Sequence, residues 1–129
     1  MKRVLLRRTP FRRRLNVSDE ERAIRQAWLR FQPRCEISGE GVPPCFGERH
    51  VHEPWPRARL GPTDDPRNFV TACDHHNTWL SQTVGGLVWG KEHGMLFSTN
   101  EGRRWLEAGG RFPGLTREQA IALVMEASK

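Results

Sequence analysis

Apolar residues fall at helical spacing near both ends of the chain. Ile24, Ala27, Trp28 and Phe31 stand at i, i+3, i+4 and i+7, one stripe of an amphipathic helix. Ser18 with Glu21 makes a capping box at its start, Asp19 and Glu20 fall in the first turn where the helix dipole favours acids, and Pro33 ends it. Near the other end, Thr116 and Gln119 form a second capping box, followed by Ile121, Val124 and Met125 on one face of a C-terminal helix.

The middle of the chain is patterned differently. Arg34 to Gly61 is rich in Gly and Pro, and stretches such as Arg49-His50-Val51-His52 suit only brief strands. Pro62 to Pro66 reads as a loop with a turn at Asp65-Pro66, and Asn68 to Thr71 as a short strand or the entry to a helix. Asp74 to Gln82 reads as a helix that buries Trp79 and Leu80. After Gly85-Gly86 the pattern weakens: Met95 to Ser98 reads as a strand and Arg103 to Ala108 as one or two helical turns.

Composition sharpens this picture. At 129 residues, with 36% apolar residues, 12 glycines and 9 prolines, the chain fits one loop-rich domain that needs something besides a core to hold it, such as a metal. No apolar run approaches membrane-spanning length, and Val4-Leu5-Leu6 is too short for a secretory signal. Three cysteines, an odd number, argue against a secreted disulfide framework and for a cytoplasmic setting.

The net charge of +6 is concentrated. Residues 1–14 carry seven Lys and Arg, among them Arg7, Arg8, Arg12, Arg13 and Arg14, and no acid; the rest of the chain holds the other 14 basic residues against all 15 acids. Residues 1–16 therefore read as a disordered basic arm for the phosphate backbone of DNA. Residues 17–129 read as a single domain with a core at 34–81 and a helical extension at 83–129.

Cys35 and Cys45 form one ligand cluster and Cys73-Asp-His-His76 a second, with Cys73 and His76 at zinc-knuckle spacing. Zinc takes such ligands tetrahedrally, as chain-local pairs that the fold brings together, so Cys35, Cys45, Cys73 and His76 are the candidate structural zinc site. The nine-residue gap between Cys35 and Cys45 is longer than usual, and Ser38 stands where a tight pair would place its second Cys.

Between the clusters, Val51-His52-Glu53-Pro54-Trp55-Pro56-Arg57-Ala58-Arg59-Leu60-Gly61, then Asp65-Pro66-Arg67-Asn68, then Ala72-Cys73-Asp74-His75-His76-Asn77 resemble in order the motif of the HNH endonucleases, in particular a small type common among phage-encoded proteins. Leu6 to Arg14 is similar to the basic leader of such proteins. The resemblance covers residues 34–81 and hardly touches the last 40. It implies an α+β fold, with a small ββα-metal (His-Me finger) core, zinc-stapled loops and flanking N- and C-terminal helices. It also implies hydrolysis of DNA phosphodiester bonds with a divalent ion such as Mg or Mn, in host cytoplasm if the protein is phage-encoded.

By the same resemblance His52 holds the place of the first metal ligand, Glu53 that of the general-base His, Asn68 that of the central Asn bracing the base and its loop, and Asn77 that of the last metal-ligating His. Here Glu53 and Asn77 depart from the family, His76 replaces a knuckle Cys, and Leu60 breaks the usual Gly-Gly. An Asn carbonyl suits oxygen-preferring Mg²⁺ or Mn²⁺, and a Glu is a weaker base than His. His50 and His52 share a strand face, so His52 as base with His50 or Glu53 on the metal is an alternative register. Arg57 and Arg59 have the sign and spacing to meet phosphate beside a scissile strand. Two further function classes remain: a catalytically degenerate zinc-containing DNA-binding module, suggested by Glu53 and Asn77, and an assembly factor in a phage DNA-packaging complex.

Overall fold

In a computed structural model of the chain, which describes residues 18–129, the first helix is α1 (Asp19–Phe31). The Ser18 hydroxyl accepts the Glu21 N–H at 2.9 Å, and the apolar stripe buries Ile24, Ala27 and Trp28 while Phe31 packs at its margin. The basic arm, with Arg7, Arg8, Arg12, Arg13 and Arg14, lies outside the described residues.

Two short strands follow, β1 (Arg49–His52) and β2 (Val70–Cys73), paired antiparallel with Val51 opposite Thr71 and His52 opposite Val70. β2 passes directly into α2 (Asp74–Gln82), with Cys73 both last strand residue and N-cap. Among the described residues the fold is thus α+β, a two-stranded sheet with five α-helices.

Side chains alternate across a strand, so the sheet divides two small cores. Val51 meets the core of Ile24, Ala27, Trp28, Phe69 and Val124, built by α1 and the last helix; Val70 and Ala72 meet Ile37, Leu80 and Trp89. Trp28 also donates Nε1–H to the buried Thr71 hydroxyl at 2.9 Å, which donates to Gln32 O at 2.6 Å. With Trp28 almost wholly buried, truncation to Ala removes about 3–5 kcal/mol of packing.

The C-terminal third is helical: α3 (Val84–Glu92), α4 (Thr99–Glu107) and α5 (Arg117–Ala127). Gly85-Gly86 hides α3 from a reading by periodicity, yet Gly86 is what lets α3 close on α2, since a Cβ there would lie 1.8 Å from Trp79 O. The expected strand at Met95–Ser98 is not formed; the segment is irregular, turned by Gly94 at φ 72° and tied by a Phe97 N–H bond to Pro54 O at 2.7 Å. α4 begins four residues before Arg103 because Ser98 and Glu101 complete a reciprocal capping box. α5 has the expected Thr116–Gln119 box and buries Ala120 and Val124. In α2, Leu80 is buried as expected but Trp79 only partly.

Arginine bridges fasten this third to the rest. Arg111 pairs with Glu36 at 2.5 Å and lies over the Trp28 ring; Arg67 pairs with Asp65 at 2.7 Å and reaches the carbonyls of Leu106 and Leu115. No helix among the described residues is long and apolar enough to cross a membrane.

Candidate metal centre and adjoining cleft

The ligand atoms of Cys35, Cys45, Cys73 and His76 all lie within 4.8 Å of one another. His76 Nδ1 is 3.2 Å from Cys35 Sγ and 3.8 Å from Cys45 Sγ. A tetrahedral ion with bonds of about 2.0–2.3 Å holds its ligands roughly 3.5–3.8 Å apart, so these four could hold a metal ion. The long gap between Cys35 and Cys45 closes because Ile37 is anchored in the core, while Gly39 and Gly41, both at positive φ, turn the exposed loop back.

The surroundings of His76 and Cys73 favour their metal-binding forms. The His76 Nε2–H donates to Pro43 O at 2.5 Å, which leaves the Nδ1 lone pair facing the sulfurs. Cys73 Sγ accepts the N–H groups of Phe46 and His76, both at 3.4 Å, and Cys35 Sγ accepts Cys73 N–H at 3.3 Å. Burial works to raise the Cys73 thiol pKa, but the N–H groups of His76 and Phe46, with Cys35 and Cys45, outweigh it and lower it. Cys45 is exposed as a residue, yet partial burial of its sulfur, then the neighbouring thiols of Cys35 and Cys73, push it up to about 11. Three thiols crowded together cannot all ionise unless a cation joins them.

Beyond this cluster, a cleft of about 490 Å³ runs along β1 beneath α1. It is lined by His50, Val51 and Glu53, by Asn77 of α2, by Arg57 and Thr63, and by Glu21, Arg22, Arg25, Gln26 and Leu29 of α1. A single turn of α2 therefore directs His76 to the sulfurs and Asn77 to the cleft.

His52 ends β1 between Val51 and Glu53 in sequence, but its side chain is partly buried and does not line the cleft. Its Nε2–H donates to Met95 O at 2.7 Å, which leaves Nδ1 with the lone pair, and the Asn77 side chain reaches the same ring. Burial lowers its pKa below the ordinary histidine value, against weaker opposing effects of Met95 O, Glu53 and Asn77. A neutral imidazole with Nε2–H fixed on a carbonyl keeps its lone pair on Nδ1, the form in which a histidine serves as a metal ligand or as a base. His50, which lines the cleft, is hydrogen-bonded to Asp74 at the start of α2, whose carboxylate also accepts Glu48 N–H at 2.9 Å. The Glu48 N–H and then His50 hold the Asp74 carboxyl below its usual range.

Glu53, one residue past β1, gives Oε2 to Arg25 Nη1 at 2.5 Å, and the same nitrogen donates to Thr63 O at 2.8 Å. Asn68 is fully buried and touches no cleft atom: its Oδ1 accepts Trp55 N–H at 3.0 Å, and its Nδ2 donates to Trp55 O and Pro62 O, both at 2.9 Å. It pins the loop that carries Glu53 and Arg57. Within that loop Leu60 adopts φ 73°, so the left-handed turn is kept although glycine is not. Gly61 is sterically required, because a Cβ would lie 1.8 Å from Trp55 O.

No family model matches the chain, and no curated protein or solved structure matches it either.

Of the residues singled out in the sequence, Cys35, Cys45, Cys73 and His76 come together, and Glu53, Asn77 and Arg57 line the cleft, which the partly buried His52 reaches through Asn77. Arg59 does not line it; its guanidinium donates to Phe97 O at 3.2 Å. Sequence reasoning missed Arg25, which sits beside the apolar stripe of α1 like any solvated helix residue. It also missed the carbonyls of Pro43 and Met95 that orient the two histidines, since backbone acceptors leave no trace in residue identity.

Proposed function

We propose that the chain is a metal-dependent DNA endonuclease of the HNH type, with zinc held structurally by Cys35, Cys45, Cys73 and His76. The observation that carries this reading is His52: it is fixed through Nε2 on Met95 O with the Asn77 side chain on its ring, and Asn77, together with Glu53 next in sequence, lines a cleft flanked by arginines.

The residues fit a divalent ion. His52 offers Nδ1 and Asn77 offers Oδ1, with the Glu53 carboxylate near enough in sequence to add oxygen. Such an ion would supply charge stabilisation at the phosphate and make its bound water more acidic. The chain's own residues do the rest. Glu53 takes the proton of the attacking water as the new oxygen–phosphorus bond forms and the bond to the 3′-oxygen breaks, the leaving oxygen taking its proton from solvent. Arg57 meets the phosphate, and Asn68 keeps the loop that carries both residues in one conformation.

The Arg25–Glu53 pair favours a second reading, a zinc-stabilised DNA-binding module that does not cleave, because it occupies one oxygen of the only carboxylate at the base position. Nicking of supercoiled plasmid in Mg²⁺, Mn²⁺, Ni²⁺ or Zn²⁺ separates the two. We expect nicking that is lost in His52→Ala and Asn77→Ala, each assayed below its own thermal midpoint. Absence of nicking with every metal, in protein that still binds DNA, leaves the non-cleaving module.

A further inference from the structure

We propose that Arg25 is a positioning residue for the nuclease reaction, holding Glu53 in the orientation from which it accepts the proton of water. This rests on the nuclease reading of the cleft.

A histidine at position 53 would be a rigid ring; a glutamate is a longer, freely rotating side chain that needs to be held to serve as a base. Arg25 does the holding, and it is itself held. Its Nη1 is bound at once to Glu53 Oε2, at 2.5 Å, and to Thr63 O, at 2.8 Å, while its guanidinium carbon lies 5.3 Å from the centre of the buried Phe69 ring. Both side chains of the pair are mostly withdrawn from solvent, with 28% exposure for Arg25 and 16% for Glu53. Thr63 follows Pro62, whose carbonyl is fixed by Asn68. A continuous brace therefore runs from the buried Asn68 through the 62–63 backbone and Arg25 to the Glu53 carboxylate.

The other arginines of the cleft are placed differently. Arg22 is exposed and, among the described residues, pairs with Asp19 on its own helix, and Arg57 is exposed on the loop, so both can turn to phosphate. Arg25 is committed to the protein. A lysine could replace its charge but not its planar, multiply donating head.

The test is steady-state nicking and DNA binding for Arg25→Gln, Arg25→Lys, Glu53→Gln and the Arg25→Gln/Glu53→Gln double variant, each assayed below its own thermal midpoint. Arg25→Gln should lower kcat about 10- to 100-fold, the scale on which small misplacement of a reacting group acts, with KM and DNA Kd within about twofold. Arg25→Lys should recover part of the loss. The double variant should be no slower than Glu53→Gln alone, since Arg25 acts only through Glu53. A higher KM with a flatter salt dependence of binding makes Arg25 a phosphate contact and overturns the proposal. A lower thermal midpoint with unchanged kcat also overturns it, as does additivity in the double variant. Wild-type protein that fails to nick in every metal tested overturns the nuclease reading and this proposal together; wild-type nicking with full kcat in Arg25→Gln overturns this proposal alone.

Discussion

Asn68 makes the sharpest stability prediction. Its side chain saturates three backbone groups away from solvent: the N–H of Trp55 and the carbonyls of Trp55 and Pro62. Because Trp55 N–H can only donate and the two carbonyls can only accept, the amide orientation is fixed and no other side chain of this size satisfies all three. Each buried polar group left without a partner costs about 1–3 kcal/mol, so Asn68→Ala should destabilise by about 3–5 kcal/mol once some water and relaxation are allowed. That is a large share of the roughly 5–15 kcal/mol typical of a domain. Asn68→Asp is the discriminating variant. It keeps an acceptor for Trp55 N–H but presents an oxygen, not an N–H, to two carbonyl oxygens, so it should not rescue. Urea unfolding followed by tryptophan fluorescence reads both variants. With a slope of about 1–3 kcal/mol per molar, the midpoint should fall by about 1–5 M at unchanged slope. An Asn68→Asp protein within about 1 kcal/mol of wild type would refute the account.

Three further outcomes are expected. Elemental analysis should find about one zinc per chain, and a strong chelator should lower the thermal midpoint and expose Cys35, Cys45 and Cys73 together to a thiol reagent; thiols that react in full without chelator count against the centre. Leu60→Gly should stabilise by about 0.5–1 kcal/mol, because relief of a left-handed L-residue exceeds the extra chain entropy of glycine; a loss of stability would mean that the exposed Leu60 side chain packs on something. His52 has a lowered pKa in the fold, so the unfolded chain takes up its proton first, and stability should fall as pH drops below about 6.5. His52→Gln, which can still donate to Met95 O, should flatten that fall, and parallel curves for the two proteins would remove His52 as its source.

The sequence made legible those features whose signals are local. Caps and stripes marked α1 and α5, and the Cys73–His76 spacing marked the metal cluster, because helix period and chain-local ligand pairs are written in neighbouring residues. What stayed hidden depended on contacts between distant segments. α3 was masked by two glycines, of which Gly86 is required for close approach to Trp79 O. Met95–Ser98 alternates like a strand but has no partner ladder, so its backbone serves instead as acceptor for His52 and donor to Pro54. Arg25 lies 28 residues from Glu53, and its role follows only from the way α1 lies over β1.

The two centres are joined by a single turn of helix. Cys73 ends β2, caps α2 and belongs to the sulfur cluster, so a metal held there would fix both where α2 starts and how it is rotated. His76 and Asn77 are adjacent on that turn, about 100° apart, and a rotation that spoiled His76 as a ligand would also carry Asn77 off the His52 ring. The donor sets differ in kind: three sulfurs and an imidazole on one side, one imidazole with amide and carboxylate oxygens on the other. Thiolates select zinc, whereas oxygen donors suit magnesium and manganese. On the proposed function, Glu53 and Asn77 therefore do more than weaken an HNH pattern. They make the cleft a harder ligand set than histidines would, so that a chain carrying both centres in one short unit can fill the first with zinc and keep the second for an ion that works on phosphate.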